Sequence, residues 1–314
     1  MDYASGGYGQ YSSAALSDPH IHGVIINMNW SNVERTQGSY NWAPLNSELA
    51  AWSNAGKRVA IAVRFTAEVG GAGTTRTMLP GWEQARIPVF VDTIENSLIP
   101  DYFNATFQAD WKAYVGALGA QLQASPYKGA ISYVRIATGL GAESWPVMPK
   151  SRSADMPQLQ AWGYTPVAWE AWQKSMLSFY HSVLPSGIHD VYSITRLDTN
   201  PSTGNPIELD VAKWATANFG FGVGEESIPS GSFGSGAGYA DINTICDWVH
   251  ANYPNAYIQF QTAGPLSSAA AESGIISNAE AHWARSIEWY ESGVTDSAYQ
   301  PGFDAFQNWV DSNF

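Results

Sequence analysis

The chain has 314 residues, 45% of them hydrophobic, with a formal net charge of −13 from only 14% charged residues. Its length exceeds the ~250 residues of a typical α/β barrel by little more than a helix or two, so residues 1–314 are expected to form one domain with an ample core. The acidic balance supplies no basic field for nucleic acid or anionic membranes, and no stretch approaches the ~20 apolar residues of a membrane span.

Eight short apolar segments recur along the chain, most separated by helical stretches and several running out into Gly, Asn, Trp or a carboxylate. That alternation predicts an α/β fold, a single (β/α)8 TIM barrel. The first strand falls within Tyr3 to Tyr8, as a truncated end. The second is the apolar run Gly23 to Trp30, whose period-two set Ile25, Asn27 and Asn29 faces the interior, so both asparagines approach the mouth. A helix over Leu45 to Asn54, closed by Gly56, leads to the third strand, Arg58 to Phe65, with Arg64 at its end. A long polar loop with Trp82 and three prolines follows. Next, Phe107, Trp111, Tyr114, Val115, Leu118 and Leu122 recur at three- and four-residue steps and predict an amphipathic helix.

The fourth strand starts at Ile131 and runs through Gly139-Leu140-Gly141-Ala142 to Glu143. An irregular segment is expected up to Gly163, after which Thr165-Pro166 reads as an N-cap and first-turn proline opening a helix through Trp169, Trp172, Met176, Leu177 and Tyr180. The fifth strand is Val191 to Asp198 and the sixth Phe219 to Glu226, with a helix over Leu209 to Asn218 between them. Cys246 is the lone cysteine, so no intramolecular disulfide forms; in the helix-like run Asp241 to Val249 it reads as a small buried hydrophobe. The seventh strand, Ala256 to Thr262, puts Tyr257, Gln259 and Gln261 on one face. The eighth is Ser286 to Glu291, and a closing helix carries Phe303, Phe306, Trp309 and Val310.

In barrels of this kind the chemistry sits where strands end. A lone acid after a Gly-rich strand end, on a chain with 14 Trp and 16 Tyr, points to sugar chemistry, because aromatic rings offer flat faces to sugar rings. Glycosidic cleavage commonly uses two carboxyl groups flanking the bond. Glu143 is the first choice for the acid, since the glycines allow close approach and Trp145 and Pro146 could desolvate it. Glu288 leads for the second carboxylate if it shares the inward phase of Tyr290; equally it pairs with Arg64, Arg135 or Arg196 and only holds the barrel together. One of Glu225 and Glu226 faces the opening, unless both form a solvated loop pair, and Asp198 either binds a sugar hydroxyl or pairs with Arg196. Gln259, Gln261, Asn27, Asn29, Arg64 and Tyr290 would line the sugar site at the cleavage point, with Trp30, Trp82 and Trp145 as stacking platforms. His20 and His22 lack a third ligand nearby, and the Gly-rich runs 70–73 and 231–238 lack the Lys and context of a phosphate loop, so neither metal nor cofactor is expected.

The run Gly23 to Trp30, then Ser31-Asn32-Val33-Glu34, Gly38-Ser39-Tyr40-Asn41-Trp42 and Gly56-Lys57-Arg58-Val59 resembles the early barrel of the clan A glycoside hydrolases, the cellulase- and β-galactosidase-like enzymes. The resemblance covers residues 20–65 well and the remainder by strand order. It implies a retaining glycosidase with the acid/base Glu ending the fourth strand, where Glu143 stands, and the nucleophile Glu ending the seventh. Two departures stand out: Ala142 replaces the Asn usual before the acid, and the seventh strand offers only Gln259 and Gln261. Four explanations stay open: a nucleophile elsewhere (Glu288, Glu225 or Glu226), an inverting mechanism, an engineered Glu-to-Gln replacement, or a barrel that binds carbohydrate without cleaving it. A lyase or isomerase would show a Lys or metal cluster at the strand ends. A chain opening Met1-Asp2-Tyr3 without a leader is either intracellular or a secreted protein whose signal peptide has been removed; few lysines and a Ser/Thr/Asn/Gly-rich composition favour secretion, as a monomer.

Overall fold

The structure is a computed structural model and describes residues 2–3, 12–67, 75–141, 143–195, 198–228, 239–262, 264–290 and 294–314. Eight parallel strands close a barrel: β1 (Asp2–Tyr3), β2 (Gly23–Asn29), β3 (Arg58–Arg64), β6 (Ile131–Ile136), β7 (His189–Ile194), β8 (Gly222–Ile228), β9 (Ile258–Thr262) and β10 (Ser286–Tyr290), with β1 pairing both β2 and β10. The helices that cover it include α3 (Ala43–Asn54), α5 (Ala105–Ala124), α7 (Pro166–Val183), α8 (Ile207–Phe219), α9 (Tyr239–Asn252), α10 (Ala269–Ala281) and α11 (Gln300–Asn313). Thr165 caps α7 as expected, its hydroxyl accepting from Ala168 N at 3.0 Å.

Strand alternation separates two cores. Val24, Ile26, Met28, Val59, Ile61 and Val63 point outward and pack with the helices, whereas Ile25, Ala60, Ala62, Tyr133, Val191 and Tyr257 meet inside. The interior pairs small residues with long ones. Gly224 lies in register with Gln259, and a Cβ there would come within 2.4 Å of Gln259 Oε1. Ala60 pairs with Tyr133 and Ala62 with Arg135 in the same way. Small residues on β3 and β8 therefore leave room for the long polar side chains of β6, β9 and β10.

Two segments differ from the sequence reading. The loop after β3 contains a short helical turn, α4 (Gly81–Gln84), and an antiparallel hairpin, β4 (Val89–Val91) with β5 (Leu98–Pro100). Asp92 Oδ1 builds its turn, accepting from Ile94 N at 3.0 Å, Glu95 N at 2.7 Å and Ser151 Oγ at 2.6 Å. The segment expected to be irregular before Gly163 contains helix α6 (Arg152–Ala161), with Pro157 inside it. The proline hid it, since Pro is disfavoured in helix interiors. The Gly-rich runs 70–73 and 231–238 lie outside the described residues.

Among the described residues no helix is long and apolar enough to cross a membrane, and no group of three His, Cys, Asp or Glu could hold a metal ion. His20 Nδ1 instead meets Asp304 Oδ1 at 2.7 Å.

Candidate active site

Glu143 stands on the turn that follows β6, at the C-terminal end of the barrel, and is only 5% exposed. The turn is fixed mainly by backbone bonds. Gly139 N donates to Glu143 O at 3.1 Å, Glu143 N to Leu140 O at 3.0 Å and Leu140 N to Trp145 O at 2.7 Å. Two glycines are required: Gly141 has φ +65°, and a Cβ on Gly139 would lie 2.1 Å from the Trp145 carbonyl oxygen. Neighbouring strands brace it from both sides. Thr66, just beyond β3, donates to Gly139 O and accepts from Gly141 N, each at 2.9 Å. Beyond β7, Thr195 Oγ1 accepts from Ser144 N at 3.0 Å, and Ser144 Oγ donates to Ser193 O at 2.7 Å. From the helix layer, Trp172 Nε1 donates to Thr138 O at 2.8 Å.

Glu288 is held differently. It is fully buried inside the barrel, in register with Gln261, and both of its oxygens are engaged by side chains. Tyr133 donates its hydroxyl to Oε1, while Arg135 Nη1 donates to Oε2 at 2.6 Å and to Gln261 Oε1 at 2.7 Å. Burial, and next the Glu288 carboxylate, push the Tyr133 phenol well above its ordinary range, so it remains a proton-bearing donor. Arg135, one of the three arginines offered as partners of Glu288, pairs with it. Beneath Gln261, the amide of Gln259 is wholly buried and finds no hydrogen-bond partner among the described residues.

The other candidates fall into three groups. Near the mouth, Asn27 and Asn29 are half-buried, Arg64 Nη2 donates to Asn27 Oδ1 at 2.7 Å, and Tyr290 and Trp145 are half-buried too. A second group has been taken up by the fold. Trp30 is fully buried and cannot serve as a stacking platform: its indole N–H donates to Glu34 Oε2 at 2.6 Å, and its ring packs on Trp111 at 5.2 Å. Glu34 also accepts from Gly38 N at 2.7 Å, so the Trp30…Glu34…Gly38 pattern is a structural clamp. Trp82 is half-buried and edge-on to Trp30, donates to Glu34 O at 3.0 Å and has the Arg86 guanidinium 5.7 Å from its ring centre.

Asp198 accepts from Tyr164 Oη at 2.7 Å and pairs with Arg152 of α6. Glu225 faces away from the mouth. Its register partners Ile194 and Phe260 belong to the outer core, and with burial its carboxylate pushes the Cys246 thiol of α9 upward. The inward position is taken by Gly224. Arg196, Ala142 and Glu291 lie outside the described residues, as does the side chain of Glu226. Sequence reasoning missed Tyr133 as a partner of Glu288, although its period-two phase with Arg135 was visible. It also missed Thr66, Ser144 and Thr195, single polar residues beyond strand ends whose contacts span 49 to 75 residues of chain.

No protein-family model matches the chain, and no curated protein matches its sequence. Solved structures do share its fold. The catalytic domain of a β-amylase from Paenibacillus polymyxa superposes with a TM-score of 0.65 at 11% identity, covering 96% of this chain and 93% of that one. A β-galactosidase from the psychrophilic Marinomonas ef1 gives 0.58 at 11% identity, over 95% of this chain and 57% of that one. An exo-β-1,4-mannosidase from Opitutaceae bacterium strain TAV5 gives 0.53 at 15% identity, over 95% and 53%. The chain thus spans nearly all of the β-amylase domain and a little over half of the other two. At these identities the likeness is one of fold: a (β/α)8 barrel of the kind these glycosidases carry.

Proposed function

We propose that the protein is a glycoside hydrolase acting on a carbohydrate at the C-terminal mouth of the barrel, with Glu143 as proton donor. The observation that carries this reading is the nearly buried Glu143 carboxyl on a turn braced by Thr66 and Thr195 beyond the end of β6. A general acid needs such fixed placement and partial desolvation, because its proton must meet the leaving oxygen at one position. The fold shared with three glycosidases supports the same chemistry by analogy.

Glu288 is the second carboxyl in this reading. Arg135 and Tyr133 aim it from the barrel wall one inward step below Tyr290. It would attack the anomeric carbon if the two carboxyls close to ~5–5.5 Å around substrate, giving retention, or activate water at a separation of ~6.5–9.5 Å, giving inversion. A second reading is binding without cleavage. It is favoured by Gln261, a neutral amide at the end of β9 where the resembling enzymes carry a glutamate, and by the complete burial of Glu288.

A panel of nitrophenyl glycosides and oligosaccharides, assayed with the parent and with Glu143→Gln and Glu288→Gln, separates the readings. Hydrolysis by the parent that collapses in both variants, each still folded by circular dichroism, supports the two-carboxylate enzyme. Saccharide binding with no hydrolysis by the parent supports the binding barrel.

A further inference from the structure

At the opposite pole from Glu143, the N-terminal ends of the strands and helix α11 enclose a cavity of about 160 Å³. Its polar wall comes from His22, from Arg58 at the start of β3, from Tyr257, and from Arg285 just before β10. Its apolar wall comes from Ile287, Trp289, Phe303 and Phe306. No carboxylate lines it among the described residues, a local reversal of sign on a chain of net charge −13. Beyond the lining, Asp304 and Asp311 on α11 act on His22 and Glu288 acts on Tyr257, while Asp304 is already bound by His20 at 2.7 Å. Burial, followed by Lys57 among the charged side chains, lowers the His22 pKa, so the fixed positive charge at neutral pH belongs to the arginines.

Both guanidinium groups are held in place before any ligand arrives. Arg58 donates Nε to Ser132 Oγ at 3.1 Å and Nη1 to Gly129 O at 2.8 Å. Arg285 donates Nη2 to Pro254 O at 2.8 Å and lies 4.2 Å from the Phe314 ring centre, while its buried Nε has no partner among the described residues. Both line the cavity together with Tyr257, whose phenol burial pushes up to about 12, opposed by a Ser286 hydrogen bond and by both arginines. Pre-placed guanidinium donors above an apolar wall match an anion with an apolar body. The volume sets the size, since a cavity of about 150 Å³ accommodates benzene.

We propose that this pole is a second binding site, separate from the barrel mouth, for a small carboxylic acid with an aryl or short alkyl body, its carboxylate on Arg58 and Arg285 and its body against Phe303 and Phe306. The test is calorimetric titration at pH 7 and low salt with benzoate, with benzyl alcohol as the neutral counterpart and acetate as the head group alone. Benzoate should bind at least about tenfold more tightly than either, and more weakly as salt is raised. The double variant Arg58→Gln/Arg285→Gln should lose that preference, and Glu143→Gln should keep it. Equal binding of benzyl alcohol, absence of benzoate binding to the parent, or full binding by a folded double variant would each overturn the proposal. If the double variant does not fold, the benzoate to benzyl alcohol ratio on the parent decides alone.

Discussion

Two buried glutamates of one barrel, one on a turn at its mouth and one inside its wall, are fixed by opposite means. Glu143 sits on a turn held by backbone bonds and neighbouring hydroxyls. Glu288 is held through its charge, clasped by Arg135 and Tyr133 inside the wall. The difference separates chemistry from stability: neutralising Glu143 should spare the fold, whereas breaking the Glu288 pair should not. A buried ion pair contributes little net stability when intact, yet removing one partner strands the other in a low dielectric.

The largest effect on stability is therefore expected from Arg135→Ala, which leaves the Glu288 carboxylate without its cation. Denaturant unfolding should register a loss of about 3–5 kcal/mol. A loss below about 1 kcal/mol would mean that the clasp is not what fixes Glu288. Next comes Gly139→Ala. A Cβ there meets the Trp145 carbonyl at 2.1 Å, so the turn must move, at a cost of about 1–3 kcal/mol. Because the turn carries Glu143, catalytic rate should fall along with the melting temperature, and a variant with full rate would disconnect the two.

Thr66→Val is milder. It removes one acceptor and one donor from the same turn and should cost about 1–3 kcal/mol, read as an earlier unfolding midpoint. The last effect is one of pH and concerns a carboxyl with no close cation. Glu83 is wholly buried, its nearest cation is Arg86 at 3.9 Å, and burial together with Asp110 pushes it from 4.5 up to about 8. Its folded form keeps a proton that the unfolded chain releases, so its stabilising contribution is complete below pH 4.5 and is lost as pH rises through about 8. Glu83→Gln should flatten the decline of stability across that window. An unchanged pH profile would show that Glu83 ionises in the folded protein as readily as in the unfolded chain.

The barrel was legible because its strands are continuous apolar runs separated by amphipathic helices, and the inward phase of Ile25, Tyr257, Gln259 and Gln261 followed from period two alone. The position of Glu143 was legible for the same reason, as the first acid after a Gly-rich strand end. Glu225 was misplaced because two adjacent acids at a strand end carry no phase of their own, and the inward position belongs to Gly224, which periodicity reads as blank. Trp30 was misread because a tryptophan at a strand end looks the same whether it faces solvent or a helix. The aromatic residues that bury it, Trp111 and Tyr114, are 81 and 84 positions away. Helix α6 was concealed by Pro157, and with it the pairing of Arg152 with Asp198.

The most direct test of Glu143 as proton donor is the hydrolysis rate of the Glu143→Gln variant against the parent on a glycoside that the parent cleaves, with the melting temperature recorded for both. The rate should drop by about 10²–10⁴-fold, with the melting temperature within about 2 °C of the parent. An unchanged rate in a folded variant would remove Glu143 from the chemistry.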